Sequence, residues 1–343
     1  MEFIKGGAEI IQKKINAANG TVTITGNYEI EKTIYIPSNF HLVLENCHLV
    51  MADGTFCNMF KNAGFEERKT DANIVVEGRG NAILDGGNHN GLYERDSMKN
   101  GNPSIYVNNL LHFANVKDFK VTGLHARNQR YWALCFTGCS KGYIANIDFL
   151  GDAVWIDDEG GEHFGLIRAV GIAKARRQNA DGIDIRRGCH DIIIENITGF
   201  TEDDTVAITS LPVAKGSPSD FLPPDASTDI YNIVIRNVVA SAFCSIVRLL
   251  CQGGGKLYNV IVDGVIDSSK DSPYMDIGGY AVRVGDVLEY RSPQPSADEM
   301  YNITVRNIVG RSEVAVDVAQ IKGYVSVDNV QGYDTNKIPV RYR

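Results

Sequence analysis

Two short acidic motifs, Asn179-Ala180-Asp181 and Glu202-Asp203-Asp204, bracket the run GIDIRRGCHDIIIENITGF, which is rich in apolar, β-prone residues. Carboxyl groups that share a site repel one another, so one is held protonated while another stays ionised. The first can give a proton to a leaving oxygen and the second can activate a water, which is the division of labour in glycoside hydrolysis. Asp181 precedes Asp203 by 22 positions and Asp204 by 23. The chemistry therefore depends on a fold that returns to the same face at that interval.

A repeat of that length runs along the chain. An apolar triplet, a polar or small residue, and then Asn or Gly recur as LVLEN, IVVEG, FKVTG, IIIEN, IVIRN, VIVDG, ITVRN and VSVDN. Their last apolar residues are Leu44, Val76, Val121, Ile194, Ile235, Val262, Val305 and Val327, with looser copies at Ile144 and Ile167. Short gaps of 22–27 residues are mixed with longer ones of 32–45, which suit a coil carrying a loop insertion or two coils with a degraded signature. Units of this size must stack to bury their apolar faces. Ile and Val dominate, and helical periodicity is missing after residue 20, so the units are short strands turned by Asn and Gly. The pattern predicts one all-β domain over 1–343, a right-handed parallel β-helix of about nine to eleven coils. Residues 7–18 read as a short amphipathic helix capping the first coil. Residues 216–228 and 292–299, rich in turn formers, are expected to protrude as loops.

Equivalent positions on adjacent coils lie about 4.8 Å apart, so Asp181 meets Asp203 and Asp204 on one face. Direct register would separate two carboxyls by about 5 Å and a two-residue offset by roughly 8 Å. The wider spacing leaves room for a water and predicts inversion at a sugar's anomeric carbon, the narrower one retention. Asp184 and Asp191 read as turn residues that cap backbone amides.

Composition narrows the class. With 44% hydrophobic and 22% charged residues the chain is of ordinary globular type, and no apolar run approaches a membrane span. A net charge of −8 argues against nucleic acid or an anionic membrane as partner. The first twenty residues carry Glu2 and Glu9 among their apolar positions, which predicts no secretory signal and a cytoplasmic location. Seven cysteines without a CxxC pair read as buried thiols, and Cys135 and Cys139 lack the companions of a zinc site. The acidic run Asp157-Asp158-Glu159 lacks the spacing of a calcium loop and reads as solvated, as does His163 beside it.

The segments RYWALCFTGCSKGYIANIDF, QNADGIDI and TEDDTVAIT, with IVVEGRGNAILDGGN at 74–88, resemble glycoside hydrolase family 28, the polygalacturonases and rhamnogalacturonan hydrolases of the pectate-lyase-like superfamily. The resemblance implies metal-free, cofactor-free hydrolysis of an oligosaccharide with inversion. It makes Asp203 the general acid, with Asp181 and Asp204 holding the water and Asn179 supporting Asp181. Arg248 and Arg283 become candidates for binding a substrate carboxylate, Tyr131 and Trp132 for stacking on a sugar, and Arg177 for lining the cleft. Departures are plain: Ala180 replaces the family's Thr, Glu202 its Gly, the GHG coil falls on SAFCSIVRLL without His, and Gly285 stands where the uronate-binding lysine would be. They turn the expectation toward a neutral, deoxy or decorated sugar. Rival readings are a calcium-dependent lyase, an epimerase or transferase using the same acids, and a non-catalytic carbohydrate-binding solenoid.

Overall fold

The computed structural model describes residues 2–88, 90, 107–151, 154–156, 162–164, 180–212, 220–269, 279–287, 296–332 and 338–343. The chain winds into a right-handed parallel β-helix whose described residues form two parallel sheets, one of twelve strands and one of ten. Helix Gly7–Ala17 lies over the first coil with Ala8, Ile11 and Ile15 buried.

Side chains alternate across each strand, so every second residue faces the interior. In the ten-stranded sheet Leu111, Leu134, Ile183, Val206, Val247 and Val282 stand in register on successive coils, all with no exposed surface. Each such burial is worth about 1.5–3 kcal/mol. The partner column on the outward side holds His112, Cys135, Asp184, Ala207, Arg248 and Arg283. The polar functional groups are thus brought together by the same register that stacks the core.

The Asn and Gly of the repeat make the corners of the other sheet. Asn146, Asn196, Asn237 and Asn307 all have φ between 55° and 59°, a left-handed conformation that Asn tolerates better than most residues. The amides of the first three form a ladder, Asn196 Nδ2 donating to Asn146 Oδ1 at 3.0 Å and Asn237 Nδ2 to Asn196 Oδ1 at 3.3 Å. Asp191, expected to cap a backbone amide, has φ 56° and accepts instead from the side-chain amide of Asn232, Nδ2 at 2.7 Å. Nearby, the rings of His190, Tyr231, Tyr258 and Tyr301 stack at 4.7–5.1 Å.

Three expectations change. Ile144 pairs directly with Ile194, which are not neighbours in the repeat read from the sequence, and Ile167 lies outside the described residues; an apolar triplet alone does not specify a pairing partner. Val76 pairs with Leu42, two residues ahead of Leu44. The described part of the 216–228 loop does not protrude. Phe221 packs on Phe65 with ring centroids 4.4 Å apart, and the Leu222 carbonyl accepts from Arg68 Nη1 at 3.1 Å, because apolar Phe221 and Leu222 find cover against earlier coils. All seven cysteines are free thiols. Among the described residues no helix is long and apolar enough to cross a membrane.

Candidate active site

Strand Ile183–Ile185 pairs with Val206–Ser210, which pairs with Ser245–Cys251, which pairs with Tyr280–Gly285. The acids sit in the turns that enter the first two. Extending the Ile183–Val206 pairing back by two residues sets Asp181 opposite Asp204. Gly182 N donates to the Asp204 carbonyl at 2.9 Å, and Asp204 N to Asp181 Oδ1 at 3.0 Å. Gly182 is required at this crossing, since a Cβ there would lie 2.5 Å from the Thr205 carbonyl oxygen.

Two residues not singled out for the site hold these turns. Glu202, 1% exposed, accepts from Ala180 N at 3.2 Å. It thereby ties the acidic turn of one coil to that of the next. Thr201 Oγ1 bonds the Asp203 carbonyl at 3.2 Å and Thr205 Oγ1 at 2.9 Å. The departure from Gly to Glu at 202 is therefore a substitution of one turn device by another.

One carboxylate oxygen from each of Asp181, Asp203 and Asp204 lies within 4.8 Å of those of the other two. This is closer than the two-residue offset allows, because Asp181 is level with Asp204 and one residue from Asp203. The spacing therefore does not itself argue for inversion. Asp181 is buried, whereas Asp203 and Asp204 keep partial access to solvent.

The surroundings favour bound protons. Burial pushes the Asp181 carboxyl well up, and Asp184, Asp203 and Asp204 add to the rise against the pull of Arg186. Asp204 is also raised by burial, while Arg248, Ser245 and Arg283 draw it back down. Asp184 is not the simple turn cap expected. It has no exposed surface, pairs with Arg186, and is pushed up by burial to about 7. The I-D-I alternation puts it on the outward face, and that pattern was the available signal.

The other candidates divide. Arg177 and Asn179 lie outside the described residues, as does the run 157–159. His163 falls in strand Glu162–Phe164, paired antiparallel with Val154–Ile156. Tyr131 and Trp132, expected to stack on a sugar, are only 2% and 7% exposed. Their rings stack on each other at 4.4 Å, and the Arg186 guanidinium lies 3.5 Å over the indole. At that burial they present no open ring face. Arg248 and Arg283 stand one and two strands beyond Asp204, and both pair with Asp286.

Chemically, the trio can place a water between carboxyls while one of them carries a proton. Several buried polar atoms around it, Asp204 Oδ1, Asp184 Oδ2 and Trp132 Nε1, have no hydrogen-bond partner among the described residues, as a site built for a water or a hydroxyl requires. Three carboxylates would also suit a hard cation.

Comparison with curated proteins returns no match. Among solved structures, an iota-carrageenase complexed to iota-carrageenan fragments is similar over 97% of this chain and 86% of its own, with 13% identity and a TM-score of 0.63. A polygalacturonase from Erwinia carotovora ssp. carotovora matches over 98% and 93%, with 14% identity and a TM-score of 0.58. The surface protein and adhesin PfbA of Streptococcus pneumoniae matches over 98% and 95%, with 14% identity and a TM-score of 0.52. At such identities the likeness shows the β-helix alone. The family model described as glycosyl hydrolases family 28 covers residues 19–214, which is more than half the chain and includes all three acids. This chain belongs to glycoside hydrolase family 28.

Proposed function

We propose that the protein is a glycosidase that hydrolyses pectin-derived or related oligosaccharides by a metal-free single displacement. The observation that carries this reading is the convergence of Asp181, Asp203 and Asp204 from adjacent coils to within 4.8 Å. In the proposed reaction Asp203 protonates the glycosidic oxygen as the bond from the anomeric carbon breaks. A water held by Asp181 and Asp204 adds to that carbon from the opposite side, and Asp204 takes the proton it loses. One bond is cleaved and one water consumed, and the anomeric configuration inverts.

The surroundings support these roles. Ser245 and Arg248 hold Asp204 toward its ionised form against burial, as a base requires. Burial raises both Asp181 and its neighbour Asp184, so these two carboxyls hold a proton more readily than free ones. Asp181 can then orient a water without carrying a full charge. Asp203, partly open to solvent, can exchange its proton between turnovers.

The test is digestion of a panel of neutral and acidic pectic oligosaccharides, read by reducing ends and near-ultraviolet absorbance. New reducing ends without absorbance support hydrolysis. An absorbing unsaturated product assigns the cleft to a lyase, and saccharide binding undiminished in Asp203→Asn without any cleavage assigns it to a binding solenoid.

A further inference from the structure

Arg248 and Arg283 are in register on successive strands beyond Asp204. Two guanidiniums on adjacent coils beside a cluster of acids would ordinarily make a clamp for a carboxylate. Here the clamp has an internal occupant. Asp286 accepts from Arg248 Nη2 through Oδ2, and from Arg283 Nη2 and Val287 N through Oδ1, both at 2.6 Å. Asp286 is 3% exposed. Arg248 Nη1 is also used, donating to the Gly285 carbonyl at 3.0 Å.

The backbone builds this arrangement in. Gly285 has φ +75°, and a Cβ there would lie 2.1 Å from the Ala319 carbonyl oxygen. No side chain fits at 285, and the left-handed turn delivers Asp286 against both arginines. The pattern continues on the next coil, where Asp317 lies 2.7 Å from Arg341 and 2.8 Å from Arg343. Cations and internal acids are thus interleaved along this end of the sheet. Such positive potential as remains falls on Asp204, which both arginines draw toward ionisation.

Resting on the reading of the cleft as a glycosidase, we infer that Asp286 is a specificity residue that fills the place a substrate carboxylate would take, so the sugar bound beside Arg248 and Arg283 is neutral rather than a uronate. A uronate would have to displace Asp286 and leave that carboxylate buried without its partners, a costly exchange. A neutral sugar meets no such penalty.

The test is equilibrium binding of galactose and galacturonate, followed by NMR titration of the wild type, Asp286→Asn and Arg283→Gln. Because no turnover is read, the result is independent of whether the panel digestion succeeds. The inference predicts that the wild type binds galacturonate no tighter than galactose. It also predicts that Asp286→Asn gains about tenfold for galacturonate relative to galactose, the scale of one charge-assisted contact. A wild type that prefers galacturonate, with the preference lost in Arg283→Gln, overturns it, and so does a folded Asp286→Asn without the gain. If Asp286→Asn does not fold, wild type and Arg283→Gln decide: equal galacturonate binding supports the inference and weaker binding by Arg283→Gln overturns it.

Discussion

The backbone amide of Asp204 donates to Asp181 Oδ1 at 3.0 Å, joining two acids that the sequence sets 23 residues apart. That bond exists because one coil of the solenoid consumes this number of residues between the two turns. It makes the acidic cluster a property of the winding, so that a change in one coil's length would dismantle the site.

Replacement of the proposed proton donor tests its role. Asp203→Asn is expected to lower turnover by about 10²–10⁴ while leaving the melting temperature nearly unchanged, since the side chain is partly exposed and the substitution isosteric. Thermal melts alongside rate measurements check both halves, and a large loss of stability would give Asp203 a structural role.

Asp181 makes a pH prediction with a definite sign. Burial and three neighbouring carboxylates raise it from the ordinary 3.8, so the folded state holds its proton more tightly than the unfolded chain. Its contribution to stability is complete below about pH 3.8 and is lost as pH rises through the raised folded value. Asp184, lifted to about 7, acts in the same direction. Asn cannot ionise, so the melting temperature of Asp181→Asn relative to wild type should increase between about pH 4 and pH 8. A difference that stays constant across that range contradicts the assignment.

Much of this was legible in the sequence. The repeat of Ile/Val triplets closed by Asn or Gly specified stacked coils, and it placed Asp181 level with Asp203 and Asp204 because strand register carries side chains with it. The pairing of Ile144 with Ile194 was not legible, because a triplet shows β propensity without a partner. Asp184 reads from the sequence as a turn residue, whereas the flanking Ile183 and Ile185, both buried, force it onto the site's face. Asp286 carried no signal of its own. Its partner Arg248 is 38 positions away, a distance that becomes a contact only when successive coils are stacked.

Gly182 offers a mechanical test of the stacking. In Gly182→Ala the new Cβ would meet the Thr205 carbonyl oxygen at 2.5 Å and the Phe149 ring at 3.1 Å. Backbone must yield, and urea denaturation should show a loss of about 1–3 kcal/mol, with turnover falling as Asp181 moves away from Asp204. Unchanged stability would contradict the close approach of these coils.

Metal removal separates the proposed hydrolysis from cation-dependent cleavage at the same acids. Exhaustive chelation should leave turnover unchanged, because protons and water do the chemistry. Activity that is lost on chelation and restored by calcium would assign Asp181, Asp203 and Asp204 to a metal site.

The most direct measurement is proton NMR of the first-formed anomer on an oligosaccharide the enzyme cleaves, with Asp203→Asn as control. The account predicts the inverted anomer at the earliest time points and almost no product from the variant. A retained anomer, or product formed equally fast by Asp203→Asn, would contradict it.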